Sequence, residues 1–95
     1  MTYDGLSSST LDRMIERTSR GFEVPVGMLW PANGHLFSHE MLVTKIEGGK
    51  VYLRNPYGSD DSGSMGPNRQ LLNNSGDSVM TLDEFKRYFQ RASLS

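Results

Sequence analysis

Residues 38–61 read SHEMLVTKIEGGKVYLRNPYGSDD, and the fold turns on how this stretch doubles back on itself. An apolar run opens at His39. Glu47, Gly48 and Gly49 interrupt it, and a second run from Lys50 closes on Arg54-Asn55-Pro56-Tyr57-Gly58. β-Branched and aromatic residues suit a pleated surface and paired glycines suit a reversal, so the stretch predicts a hairpin with strands over 39–46 and 50–55. Turn length then decides which side chains share a face. A three-residue loop pairs Ile46 with Lys50, Val43 with Leu53 and Met41 with Asn55. It sends His39, Met41, Val43, Val51, Leu53 and Asn55 to one side. A two-residue Gly48-Gly49 turn pairs Leu42 with Asn55 instead and turns His39 to the opposite side. Both registers give acceptable apolar faces. A His39–Asn55 contact needs the first register, or a bulge that restores it.

That contact matters because an imidazole takes and returns a proton near neutral pH. A carboxamide oxygen accepting from one ring N–H fixes the tautomer and aims the other nitrogen outward. Asn55 offers such an oxygen, and Pro56 restricts its backbone to extended conformations. The plainer reading makes His39 a polar strand end and Asn55 the start of an Asn-Pro turn. The other histidine, His35, follows Asn33-Gly34 and reads as a turn residue. Its i, i+4 spacing to His39 suits a metal on a helix, but Gly34 and the strand-like context argue against one. Asp60, Asp61 and Asp77 lack the alternating ladder and closing Glu of a calcium loop and read as solvated carboxylates. No metal and no cofactor are expected. Ser7, Ser8 and Ser9 precede a helix and read as capping residues, since no base is evident beside them.

Working outward, residues 1–8 read as a loose terminus. Ser9 or Thr10 can cap a helix running to about Arg20, with Leu11, Met14, Ile15 and Thr18 on one stripe. Gly21 ends it in a positive-φ conformation, and Phe22 can fold back on its last turn. FEVPVGMLW, Phe22–Trp30, reads as a strand, with Pro25 demanding an edge position or a bulge. Trp30 and the methionines read as core or cleft wall. Asn33-Gly34 marks a reversal. Residues 57–78 form a long polar loop that Leu71 and Leu72 can tack down. Thr81 and Glu84 then make a capping box, Asp83 favours the first turn, and Leu82, Phe85, Tyr88 and Phe89 share an apolar stripe. The whole is one α+β domain over residues 1–95. A small antiparallel sheet, a half-barrel, is flanked by an N-terminal and a C-terminal helix.

Composition bounds the function. The chain has 95 residues, 36% hydrophobic and 22% charged, which is globular, and a net charge of −1, which favours neither nucleic acid nor an anionic membrane. No apolar run reaches the roughly 18 residues that span a bilayer, and no secretory signal is visible at the start. There is no cysteine. That excludes disulfides within the chain, suits a reducing compartment such as the cytoplasm, and removes the thiol as a nucleophile.

These pieces together resemble a known family. SHEMLVTKI resembles the histidine strand of papain-fold cysteine peptidases, notably the calpains, where Gly-His leads into an apolar strand ending Val-Thr. RNPYG is similar to the calpain Arg-Asn-Pro-Trp-Gly, and VMTLDEFKRYFQR is similar to the Met-Ser-x-x-Asp/Glu-Phe helix that follows it. GFEVPVGMLW resembles the Gly-x-Pro-Val strand of bacteriocin-processing and related papain-like peptidases. The resemblance runs from about Thr10 to Arg91 and implies a papain-like C-terminal lobe. It implies His39 as general base, Asn55 as its orienter, and Trp30 and Tyr57 along a substrate cleft, with Tyr57 replacing the family's Trp. The family's other half, which carries the cysteine and a glutamine of the oxyanion hole, has no counterpart here. Two functions follow from the resemblance. One is the barrel-side half of a cysteine peptidase, a hydrolase of peptide substrates that is inert alone and completed by an N-terminal half bearing the thiol. The alternative is a catalytically dead binding or regulatory module acting through a protein partner or a self-dimer on an exposed apolar cleft face.

Overall fold

The computed structural model of the chain describes residues 2–4, 6–32, 34–55, 70–71 and 77–94. In chain order these form β1 (Thr2–Asp4), α1 (Ser8–Ser19), β2 (Val24–Ala32), β3 (His35–Glu47), β4 (Lys50–Arg54), β5 (Gln70–Leu71), β6 (Asp77–Thr81), α2 (Leu82–Tyr88) and β7 (Phe89–Ser93). The strands make one open sheet in the order β1-β7-β2-β3-β4-β6-β5, with every pair antiparallel. The class is α+β, an antiparallel sheet flanked by an N-terminal and a C-terminal helix.

Alternate residues of the central strands build the core. Val24, Val26 and Met28 of β2, Met41 and Val43 of β3, and Val51 and Leu53 of β4 join Met14 of α1 and Phe85 of α2 in one buried cluster. Each side chain of this size taken fully out of water contributes about 1.5–3 kcal/mol before entropy is counted. One shared cluster therefore holds both helices to the sheet.

The first helix begins earlier than its sequence suggests. Ser7, not Ser9 or Thr10, is the N-cap, its hydroxyl accepting from the Thr10 N–H at 3.2 Å. That shift frees Thr10 to be buried with Met14, while Ile15 is left 38% exposed, so the buried stripe lies one position round from the predicted one. The C-terminus closes as expected. Gly21, at φ 87°, donates to the Thr18 carbonyl at 3.0 Å and Phe22 donates to that of Arg17 at 3.1 Å. Phe22 itself stays exposed, with the Arg20 guanidinium 5.7 Å from its ring centre.

Three further expectations need correction. β2 is interior, paired with β3 along its whole length and with β7 over Val26–Met28, so Pro25 is not on an edge. The proline sits one residue beyond the β7 ladder, and the bulge on that side falls between Gly27 and Met28. The terminus is not loose throughout, since Thr2–Asp4 pairs with β7. The last apolar stripe is split: α2 has 7 residues, started by Thr81 accepting from the Glu84 N–H at 3.2 Å, and Phe89 already belongs to a strand. Phe85 and Phe89 still pack together, ring centres 5.4 Å apart. Of the long loop expected over 57–78, residues 57–69 and 72–76 lie outside the described residues. Gln70–Leu71 and Asp77-Ser78 are strand.

Candidate functional site

The hairpin closes with two residues, not three. Gly48 and Gly49 take φ of 61° and 74°, the left-handed pair that a tight hairpin turn requires, and Glu47 pairs with Lys50. Carried on without interruption, that register would turn His39 away from Asn55. It is interrupted. Lys45 pairs with Tyr52 but Val43 pairs with Leu53, so Thr44 is an extra residue on β3, and Leu42 then pairs with Arg54. The Thr44 hydroxyl donates to the Tyr52 carbonyl at 3.4 Å across the bulge.

Side-chain burial explains why the ladder breaks there. A regular ladder would turn Thr44, Leu42 and Glu40 toward the core. The bulge presents Val43, Met41 and His39 in their place, and Val43 and Met41 are fully buried. A Thr hydroxyl and a Glu carboxylate on that face would cost several kcal/mol if left without partners. The ladder bond given up at a bulge is worth only about 0.5–1.5 kcal/mol. Burial wins, and His39 comes round with it.

His39 and Asn55 therefore meet. His39 Nε2 lies 3.3 Å from Asn55 Oδ1. A carboxamide oxygen only accepts, so Nε2 carries the proton and the lone pair of the neutral ring is on Nδ1. Asn55 is 5% exposed, whereas His39, within β3 and level with the residue that follows β4, is half-buried. Its cross-strand neighbour on β2 is the fully buried Met28. A fixed carboxamide beneath a part-open imidazole is an arrangement that can hold one tautomer and pass a proton outward.

Next to Asn55, Arg54 points the other way. Its Nε donates to Asp77 Oδ1 at 3.2 Å and its Nη1 to Glu23, tying β4 to β6 and to the segment before β2. The Asp77 hydrogen bond first, then the Glu23 charge, raise the Arg54 pKa further above its already high value. The group is half exposed, so this clamp is worth little as stability and more as a fix on the strand that ends at Asn55. Nothing local in RNPYG marks Arg54 for this role, because both of its partners are more than 20 residues away in sequence.

A groove on the other face of the sheet from the imidazole was not legible in the sequence. An open groove of about 250 Å³ is lined by Gly27, Ser38, His39, Glu40, Gln90 and Arg91. It forms where β7 loses step with β2: Gly27 pairs with Arg91 and Met28 with Phe89, leaving Gln90 as the extra residue. The signal that hides it is the run Phe89–Ser93, which reads as helix continuation.

The remaining candidates are dispersed. Trp30 pairs with Phe37 in the β2–β3 ladder, two positions along β2 from Met28, and its side chain falls outside the described set. Tyr57 lies outside the described residues. His35 is exposed at the start of β3, on the order of 13 Å from His39 along an extended strand. Among the described residues, no group of three or more His, Asp or Glu side chains could hold a metal ion, and no helix is long and apolar enough to cross a membrane. Compared with protein-family models, curated proteins and solved structures, the chain matches none.

Proposed function

We propose that this chain is the imidazole–carboxamide half of a papain-like, thiol-dependent peptide hydrolase, completed by a cysteine from an N-terminal half. The observation that carries the reading is the His39 Nε2–Asn55 Oδ1 contact at 3.3 Å, with the asparagine buried and the histidine part open. In the completed site, Nδ1 of His39 takes the thiol proton as the sulfur attacks the peptide carbonyl. The imidazolium, held in place by Asn55, then returns that proton to the departing amine. Water, deprotonated by the same nitrogen, cleaves the thioester and restores the thiol. Asn55 is a positioning residue, since it acts only through the ring.

The chain has no cysteine of its own, so alone it forms no acyl-enzyme. The test mixes it with a candidate N-terminal half carrying a cysteine at the head of a helix and adds a thiol-directed peptide probe. Labelling that needs both halves and is lost in His39→Ala supports the reading. A stable complex that never labels contradicts it and favours the alternative, a binding module that keeps the cleft wall without the chemistry.

A further inference from the structure

At the turn end of the hairpin, β3 outruns its neighbour. β2 pairs with it only as far as Val24 opposite Val43. β3 continues through Lys45, Ile46 and Glu47, which pair on the other side with Tyr52, Val51 and Lys50. On the β2 side these three have no strand partner among the described residues. A groove of about 370 Å³ runs along that edge, walled by Ile15, Thr18 and Ser19 of α1. The two-residue turn decides what the edge offers. Glu47 and Lys50 flank it and exchange hydrogen bonds, so by alternation the Ile46 N–H and C=O point away from β4 and into the groove. Lys45 and Glu47 lie on the face away from the helices, with Lys50 beside Glu47. Ile46 lies on the core face beside the buried Val51, and Ile15, 38% exposed, lines the groove with it.

We infer that this edge is a self-association site, where two copies of the chain pair antiparallel about a two-fold axis through Ile46. In that register Ile46 faces Ile46 of the second copy, and the two exchange both backbone hydrogen bonds. Lys45 faces Glu47 of the second copy, and Glu47 faces its Lys45. The row across the junction then reads Lys50, Glu47, Lys45, Tyr52, with opposite charges adjoining on both sides of Glu47. On the other face Val51 and Ile46 meet their own copies and continue the apolar surface. The ion pair that Lys45 and Glu47 make within one chain is exposed, so exchanging it for two between chains costs little. A lysine on a short edge strand ordinarily discourages pairing. A strand reading Lys-apolar-Glu answers it, and this chain's own edge has that pattern. Three residues make a short ladder, so the dimer is a weak one. The inference is independent of the peptidase reading, since Ile46 lies on the order of 20 Å along β3 from His39.

The experiment follows the ¹⁵N-labelled full chain from micromolar to millimolar concentration, by sedimentation and by backbone amide shifts. The mass should rise toward that of a dimer, with saturable shifts centred on Lys45–Glu47 and Ile15. Lys45→Glu and Glu47→Lys should each weaken association about tenfold, because each sets like charges opposite one another twice. Mixing the two variants should restore it, since Glu then faces Lys in both places. The chain has no cysteine, so Ile46→Cys gives a covalent check without competing thiols. Residues directly opposite in this register lie about 5.5 Å apart at Cα, within disulfide reach, and mild oxidation should trap the dimer. Glu40→Cys, exposed elsewhere on β3, should cross-link far less. A chain that stays monomeric at millimolar concentration, or one that dimerises equally well with Lys45→Glu, overturns the site. So does a monomeric chain whose same amides shift on adding a Lys-Ile-Glu peptide, which assigns the edge to a different partner.

Discussion

At one end of the β3–β4 hairpin, Gly48 and Gly49 close the strands in two residues. At the other end, His39 and Asn55 meet across strands that have left that register. The turn end obeys local backbone geometry: two glycines at positive φ suffice, and the side chains around them are exposed. The far end obeys the core. Met41 and Val43 must be inside, the ladder gives up one step at Thr44, and the imidazole is carried to the carboxamide as a consequence. A site of this kind is positioned by packing several residues away, not by its own turn.

The comparison is broken most severely by removing what both ends share. Leu53, 1% exposed, pairs with Val43 just beyond the bulge. Leu53→Ala should cost about 2–5 kcal/mol in urea unfolding and disorder both ends together. Separating the ends needs a gentler change. Gly49→Val forces a β-branched residue into φ 74° and should cost about 1–2 kcal/mol while leaving the His39–Asn55 contact in place. If that contact disappears with the turn, the two ends are not independent.

How far the sequence shows this contrast can be read residue by residue. The hairpin, the Gly21 helix stop and the Thr81 cap were legible because each is written in local chemistry. The choice between the two hairpin registers was not, because Thr44 looks like any strand threonine; only the demand that Val43 and Met41 both be buried makes it the extra residue. The interior place of Pro25 was hidden for a related reason. β7 reads as the tail of a helix, so the sheet appeared to stop at β2 when it continues two strands further. Arg54 acquires its role only through Glu23 and Asp77, partners distant in sequence.

Smaller effects sharpen the contrast further. Ser78 of β6 pairs with Leu53, and its hydroxyl is fully buried with no hydrogen-bond partner among the described residues. Ser78→Ala should stabilise the chain by up to about 1 kcal/mol, seen as a rise in the urea midpoint at unchanged slope. At the turn end, Glu47 raises the pKa of Lys45 above 10.5, first by its hydrogen bond and then by its charge. A lysine whose folded pKa is raised stabilises the fold fully below 10.5 and loses that contribution as pH rises through the folded value. The pair is solvent-exposed, so the effect is the smallest of the set. Lys45→Gln should lower stability slightly at neutral pH, and the gap from the parent should close above pH 10.5.

The most direct test reads the ring of His39 itself, through the long-range ¹H–¹⁵N correlations of its two nitrogens. If the bulge at Thr44 brings the imidazole onto the carboxamide, the neutral ring will carry its proton on Nε2 alone, and Asn55→Ala will release it into a mixture of tautomers. A ring protonated on Nδ1, or one whose tautomer ignores the loss of Asn55, contradicts the account at its centre.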